Sequence, residues 1–160
     1  MRIAIDIQGV QSPGSRKRGI GRYSKEIIKA LINKYPDYEY ILVANSSLPD
    51  VSFEFVEELS KYKNLSYFNW ISPGPLNYVS KSKSLNLIAK SLRSYAFSRL
   101  HADVILITSL FEGFADNSLT DFDHDFIKIP IISIFYDVIP LLRPELYLNN
   151  NPEFAKFYFD

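Results

Sequence analysis

The sequence predicts a doubly wound α/β domain: a mostly parallel sheet with helices on both faces. Three observations carry this reading. Short apolar runs recur along the chain, at residues 3–7 (IAIDI), 38–44 (YEYILVA), 103–107 (DVILI) and 129–135 (IPIISIF). Runs without strict alternation suit strands buried on both faces, the condition of a parallel sheet. Segments with apolar spacings of three and four alternate with those runs, which is the βαβ pattern. Finally, 160 residues with 47% hydrophobic and 22% charged content make a single domain with a sizeable core.

The elements follow in order. Ile3, Ala4, Ile5 and Ile7 form the first strand, with Asp6 inside it. Residues 8–18, with Gly9, Pro13 and Gly14, read as a loop. Ile20, Tyr23, Ile27 and Leu31, with Ile28 beside them, mark a helix face that runs to about Tyr35 and is stopped by Pro36. A strand over 38–44 follows. Pro49-Asp50 opens a second helix carrying Phe53, Val56 and Leu59. A weaker strand spans 65–70, then Ser72-Pro73-Gly74-Pro75 makes a turn cluster. Leu85, Ile88, Leu92, Tyr95 and Ala96 mark a third helix face, with Lys90, Arg93 and Arg99 assigned to its polar side. The strand at 103–107 is buried, 112–125 is a polar loop, and 129–135 is a further buried strand. The final residues, from Pro152, read as the opening turns of a helix that is cut short.

Composition excludes several function classes. Lys+Arg and Asp+Glu both number 18, so the net charge of zero speaks against a dedicated nucleic-acid binder. Zero cysteines remove disulfides, thiolate metal sites and thiol nucleophiles, and two histidines, His101 and His124, exclude a histidine-rich metal site. His101, at a helix end, suits the helix dipole, while His124 sits among acids in the polar loop. No apolar run reaches the ~18 residues of a membrane span, and the N-terminus lacks a signal-peptide pattern, so the expected location is the cytoplasm. The aromatic content of 15%, with 11 Tyr and 12 Phe, has two readings, core packing or a stacking face.

Open sheets of this type bind ligands beyond the carboxyl ends of their strands. Three segments there carry candidate chemistry. Residues 14–23 (GSRKRGIGRY) place glycines and the cations Arg16, Lys17, Arg18 and Arg22 at a helix start, which suits an anion or an ordinary basic loop equally. The segment has no Walker Gly-Lys-Ser/Thr, and its glycine spacing is not that of the dinucleotide fingerprint. In residues 108–113 (TSLFEG), Ser109 and Glu112 either bond sugar hydroxyls or are simply solvated. The acids Asp116, Asp121, Asp123 and Asp125 lack the glycine-containing pattern of a calcium loop. Asp137, just past the last strand in residues 136–140 (YDVIP), either orients a ligand or caps a turn.

These segments, in this order, resemble the N-terminal half of GT-B glycosyltransferases of family 4, also called group 1, and more narrowly bacterial polysaccharide and O-antigen mannosyltransferases. The carriers are RIAIDIQGVQSPGSRKRGIGRYS, ISPGP, ADVILITSLFEGFADNSLT and FYDVIPLLRPELYL. The resemblance implies a Rossmann-like domain over residues 1–160, one half of a GT-B fold on the acceptor side, with the donor-binding C-terminal domain absent. It implies transfer of a sugar, GDP-mannose being the expected donor, to a glycan or lipid-linked glycan with retained configuration. Gly19, Ile20, Gly21 and Arg22 are the implied diphosphate contacts. Ser109, Glu112 and Gly113 are the implied acceptor contacts, and Tyr136 and Asp137 the implied catalytic positions. Many relatives have His-Asp where this chain has Tyr136-Asp137; a tyrosine hydroxyl bonds but cannot replace a histidine's charge. No metal or other cofactor is expected beyond the nucleotide-sugar substrate. The implied partners are that nucleotide-sugar, the glycan acceptor and the second domain, with no nucleic acid. Peripheral attachment to the inner membrane face and dimerisation through the exposed cleft surface complete the expectations. The alternative is a stand-alone α/β module that binds a phosphate ligand or another protein.

Overall fold

The computed structural model describes residues 1–78, 82–136 and 138–159. The elements run β1 (Arg2–Asp6), α1 (Gln8–Gln11), α2 (Gly19–Lys34), β2 (Glu39–Asn45), α3 (Phe53–Leu59), β3 (Leu65–Trp70), α4 (Lys83–Ser98), β4 (Val104–Ile107) and β5 (Ile131–Ser133), then α5 (Ile139–Leu142), α6 (Pro144–Tyr147) and α7 (Pro152–Phe159). The five strands form one sheet in the order β3-β2-β1-β4-β5, and every pairing is parallel. The chain moves from β1 outward to β3, then returns through α4 to place β4 on the other side of β1. The point where the order reverses lies between β1 and β4, where open sheets of this kind form a crevice.

The pleat sorts alternate residues to the two faces. Ile3, Ile5, Tyr40 and Leu42 face α2 and α3, where Ile28, Ile32, Phe55 and Leu59 cover them. Ala4, Ile41, Val43, Ile105 and Ile107 face α4, meeting Ala89 and Phe97 together with Leu119, Phe122 and Ile127 from the long segment after β4. The doubly wound, Rossmann-like arrangement is therefore as the sequence predicts. Among the described residues, no helix is long and apolar enough to cross a membrane.

Several expectations need correction. Residues 8–11 are not loop but a buried helical turn, because their glutamines find partners inside the fold. The segment 112–125 is not simply a polar loop: Glu112, Ser118, Leu119 and Phe122 are all buried. The last strand is shorter than 129–135 and lies at the sheet edge, where Ile132 and Phe135 are exposed because no strand follows β5 among the described residues. His101 has φ 50°, the left-handed turn by which the chain leaves α4, and His124 is exposed.

The largest departure is α4. Part of its predicted apolar face is turned outward, with Leu92 46% and Tyr95 54% exposed, while Leu85 and Ala96 pack at the edge of the core and Arg93, expected on the polar side, is 0% exposed. The small residues Ala89 and Ser94 face inward and let the helix approach the sheet closely. Arg93 is drawn in by a counter-charge: its Nη1 lies 2.5 Å from Asp6 Oδ2 at the end of β1. Phe122, Phe97 and Trp70 hold the guanidinium against their rings at 4.2, 5.0 and 5.9 Å. Burial pulls the Arg93 pKa below its ordinary value, opposed by the Asp6 charge.

Candidate functional site

The site grows from the carboxyl ends of β1 and β4. Asp6 ends β1 and accepts hydrogen bonds from the Gln8 backbone N–H at 2.8 Å and from Gln8 Nε2 at 2.9 Å. Gln8 then brackets Leu119, donating to its carbonyl at 2.8 Å and accepting from its N–H at 3.0 Å. Asn45, at the end of β2, donates to Gln8 Oε1, Ser72 Oγ and the Asn117 carbonyl. Gln11 closes the frame through the Asn45 backbone. The members stand at the ends of β1 and β2, on α1 and in the loop after β3, and these buried polar groups pair with one another instead of with water. This network fixes the loops that carry the candidate residues.

The predicted diphosphate contacts lie at the start of α2. Gly19 is exposed and open, with nothing within 4 Å of where a Cβ would stand. Among the described residues, the Gly19 and Ile20 N–H groups have no hydrogen-bond partner, as the first turn of a helix leaves them. Arg22 is exposed one step further along, and Arg18 precedes the helix. Gly21 does something different. It is buried, its N–H donates to the Ser15 carbonyl at 3.1 Å, and a Cβ there would strike Ser15 and Arg16. Its lack of a side chain seats the preceding loop on the helix.

Tyr136 stands behind this first turn, edge-on to the Tyr23 ring at 5.1 Å. Its buried Oη has no aligned partner; the Ser24 hydroxyl beside it donates to the Thr108 carbonyl at 3.2 Å instead. Burial is the main cause that pushes the Tyr136 phenol above its ordinary pKa. Asp137 lies outside the described residues.

The predicted acceptor contacts follow β4. Glu112 is only 5% exposed, so the solvated reading of this side chain does not hold. Ser109 Oγ donates to Glu112 Oε1 at 2.7 Å, and the Ser12 and Ser15 hydroxyls also lie against the carboxyl group. Ser12 directs its proton to Asp116 Oδ2 at 2.6 Å. Burial pushes the Glu112 pKa up, the serine hydroxyls oppose that, and the Asp116 charge adds to it. Gly113, at φ 100°, turns the chain beneath the Ser118 carbonyl, a geometry that leaves no room for a side chain.

Ser15 joins the two groups: its carbonyl holds Gly21 and its hydroxyl lies against Glu112. The described candidates thus share one edge of the sheet. Sequence reasoning missed Gln8, Gln11, Asn45 and Ser118, whose polar type is unremarkable until the strand ends converge. One signal was present in Asp6, a carboxylate inside an apolar strand. Among the described residues, no group of three or more acids or histidines converges as a metal site would require.

No family model matches the chain. Curated relatives named serotype-specific mannosyltransferase WbdA, from Escherichia coli, do. One is 27% identical over 165 aligned positions, covering 100% of this chain and 19% of the relative. A second is 23% identical over 137 residues, 82% of this chain and 16% of that relative. A third is 31% identical over 72 residues, 45% of this chain and 9% of the relative. The chain is therefore similar along its whole length to a bacterial serotype-specific mannosyltransferase, of which it spans about a fifth.

Proposed function

We propose that this chain is the acceptor-side half of a retaining, family 4 glycosyltransferase, working opposite a donor-binding domain. The reaction transfers mannose from GDP-mannose to a hydroxyl of a glycan or lipid-linked glycan in cell-surface polysaccharide synthesis, in the cytoplasm at the inner membrane face. Similarity to WbdA supports the reaction class. The single observation that carries the chemistry is the open start of α2, with unpaired Gly19 and Ile20 amides between Arg18 and Arg22.

In this reading the bond from the anomeric carbon to the diphosphate oxygen breaks. The acceptor oxygen bonds to the same face of that carbon, and its proton passes to the leaving phosphate. Negative charge grows on that phosphate as the bond lengthens. Fixed amides and a guanidinium aimed at it stabilise the transition state more than the ground state. Gly21 holds the loop in place, and Tyr136 backs the first helical turn. Ser109, Glu112 and Gly113 form the acceptor wall, where a buried carboxyl group is a strong hydrogen-bond partner for a sugar hydroxyl. No metal is needed for any of these roles. The chain alone supplies one wall, so it binds without turnover.

Mannosyl transfer from GDP-mannose to a mannose oligosaccharide, assayed on the whole protein that carries this chain, tests the reading. Arg22→Ala is expected to lower kcat/KM by roughly 100-fold. Unchanged turnover in that variant removes the diphosphate role, and failure to transfer from any nucleotide-sugar removes the function.

A further inference from the structure

Residues 59–102 hold seven Lys or Arg and no Asp or Glu, although the whole chain is neutral. α4 lies inside this run, so every charge it carries is positive. Two of its cations are paired within the fold, Arg93 with Asp6 and Lys90 with Asp121. Lys83 and Arg99, at the two ends of the helix, are exposed and have no ion-pair partner among the described residues. Between them Leu87, Ile88, Leu92 and Tyr95 follow the outward face at helical spacings. Leu87 and Ile88 are 62% and 53% exposed, so with Leu92 and Tyr95 they form a continuous apolar stripe instead of scattered single side chains. Phe126, exposed in the segment after β4, meets Tyr95 edge-on with ring centroids 6.3 Å apart and widens the stripe.

Charge and shape say what meets this stripe. The opposite side of α4 is held on the sheet through Ala89, Arg93 and Phe97, so the stripe faces away from the core. A helix face is convex, and a bilayer receives a convex apolar ridge without a matching groove. Leucine and isoleucine enter among the acyl chains, while tyrosine, lysine and arginine keep their polar ends at the headgroups. Two unpaired cations and no acid on the helix complement an anionic surface. A two-fold pairing of the stripe with its own copy is disfavoured, because Lys83 and Arg99 meet only cations on the other α4. Asp121, Asp123 and Asp125 lie along one flank, in the segment after β4, where Lys90 offsets Asp121; they mark where the surface ends. We propose that the outward face of α4 docks on an anionic lipid bilayer.

Position gives the surface its role. α4 crosses back from the end of β3 to the start of β4, so its first turn stands at the carboxyl edge of the sheet, the edge that carries the candidate site. A bilayer lying along α4 borders that edge and brings a lipid-linked acceptor beside the acceptor wall. This step rests on the glycosyltransferase reading, whereas the docking itself does not.

Flotation of the full 160-residue chain with vesicles tests the surface, with equal parts phosphatidylglycerol and phosphatidylcholine set against phosphatidylcholine alone. The chain is expected to float with the anionic vesicles at low salt, and binding is expected to fall as salt rises. Lys83→Gln combined with Arg99→Gln is expected to weaken binding roughly 25-fold, about 5-fold for each cation. Leu92→Ser is expected to weaken it by about 10-fold with Tm unchanged. If Leu92→Ser also lowers Tm, the charge variant decides, since both of its side chains are exposed. Equal binding to the two vesicle types, binding to neither, or wild-type binding in both variants overturns the proposal. So does a lipid-free dimer that Leu92→Ser dissociates, which gives the face to a second copy. The transfer assay separates the two proposals. Vesicle binding without transfer keeps the surface and removes its role in the reaction; transfer without vesicle binding removes the surface alone.

Discussion

Glu112 shows how position changes the chemistry of one residue. Its neighbours in sequence are ordinary, and a carboxylate in a loop is usually solvated. Here Ser12, Ser15 and Ser109 surround it, yet burial outweighs their hydrogen bonds and raises its pKa. The folded protein then holds this proton more tightly than the unfolded chain, whose carboxyl titrates near the ordinary 4.5. Stability rises with pH only where the unfolded state binds more protons, so the sign here is the reverse. The contribution of Glu112 is largest below the ordinary value and is lost as pH rises through the raised one. Glu112→Gln is expected to be more stable than the native chain at pH 7, with the two urea midpoints converging as pH falls toward 4.5. Equal midpoints at every pH would show that the carboxyl is not destabilised by burial.

At the scale of elements, α4 carries the clearest lesson. Its apolar spacing is genuine, and a helix over these residues is correctly predicted, but the inward face is rotated from the predicted one, keeping only Leu85 and Ala96 at its edge. Periodicity reports that a helix has two sides; it does not report which side meets the sheet. Ala89, Arg93, Ser94 and Phe97 are the inward residues. Leu92→Ser, on the outer face, is expected to change stability by within ~0.5 kcal/mol, as surface substitutions do. Phe97→Ala, in the core between α4 and Phe122, is expected to cost about 3–5 kcal/mol. Chemical denaturation of the two variants measures both. The reverse order would restore the outward residues to the core.

Over the whole molecule, the Asp6–Arg93 pair ties the first strand to a helix far along the chain. Asp6 also anchors Gln8, and Gln8 anchors Leu119 in the segment after β4, so the pair bears on the geometry of the candidate site as well as on the packing of α4. Breaking a buried pair from one side leaves a charge that neither water nor protein satisfies. Asp6→Asn is expected to destabilise by about 3–5 kcal/mol, and adding Arg93→Met to it recovers much of that loss. Urea denaturation of the single and double variants checks it; full additivity would mean that the two charges do not act as a pair.

The sequence by itself determined the order and type of most elements, because strand and helix periodicities are local. From that order a doubly wound topology is expected, and with it a candidate site beyond the carboxyl ends of the strands. It also marked the glycine-and-arginine start of α2, whose amides any helix would leave unpaired. Tertiary structure alone decided which face of α4 turned inward, that Arg93 and Glu112 were buried, and that β5 stood at an edge. It alone showed that Gly21 packs while Gly19 stays open. Each of these depends on what residues distant in sequence bring opposite, and burial, pairing and pKa are properties of that encounter.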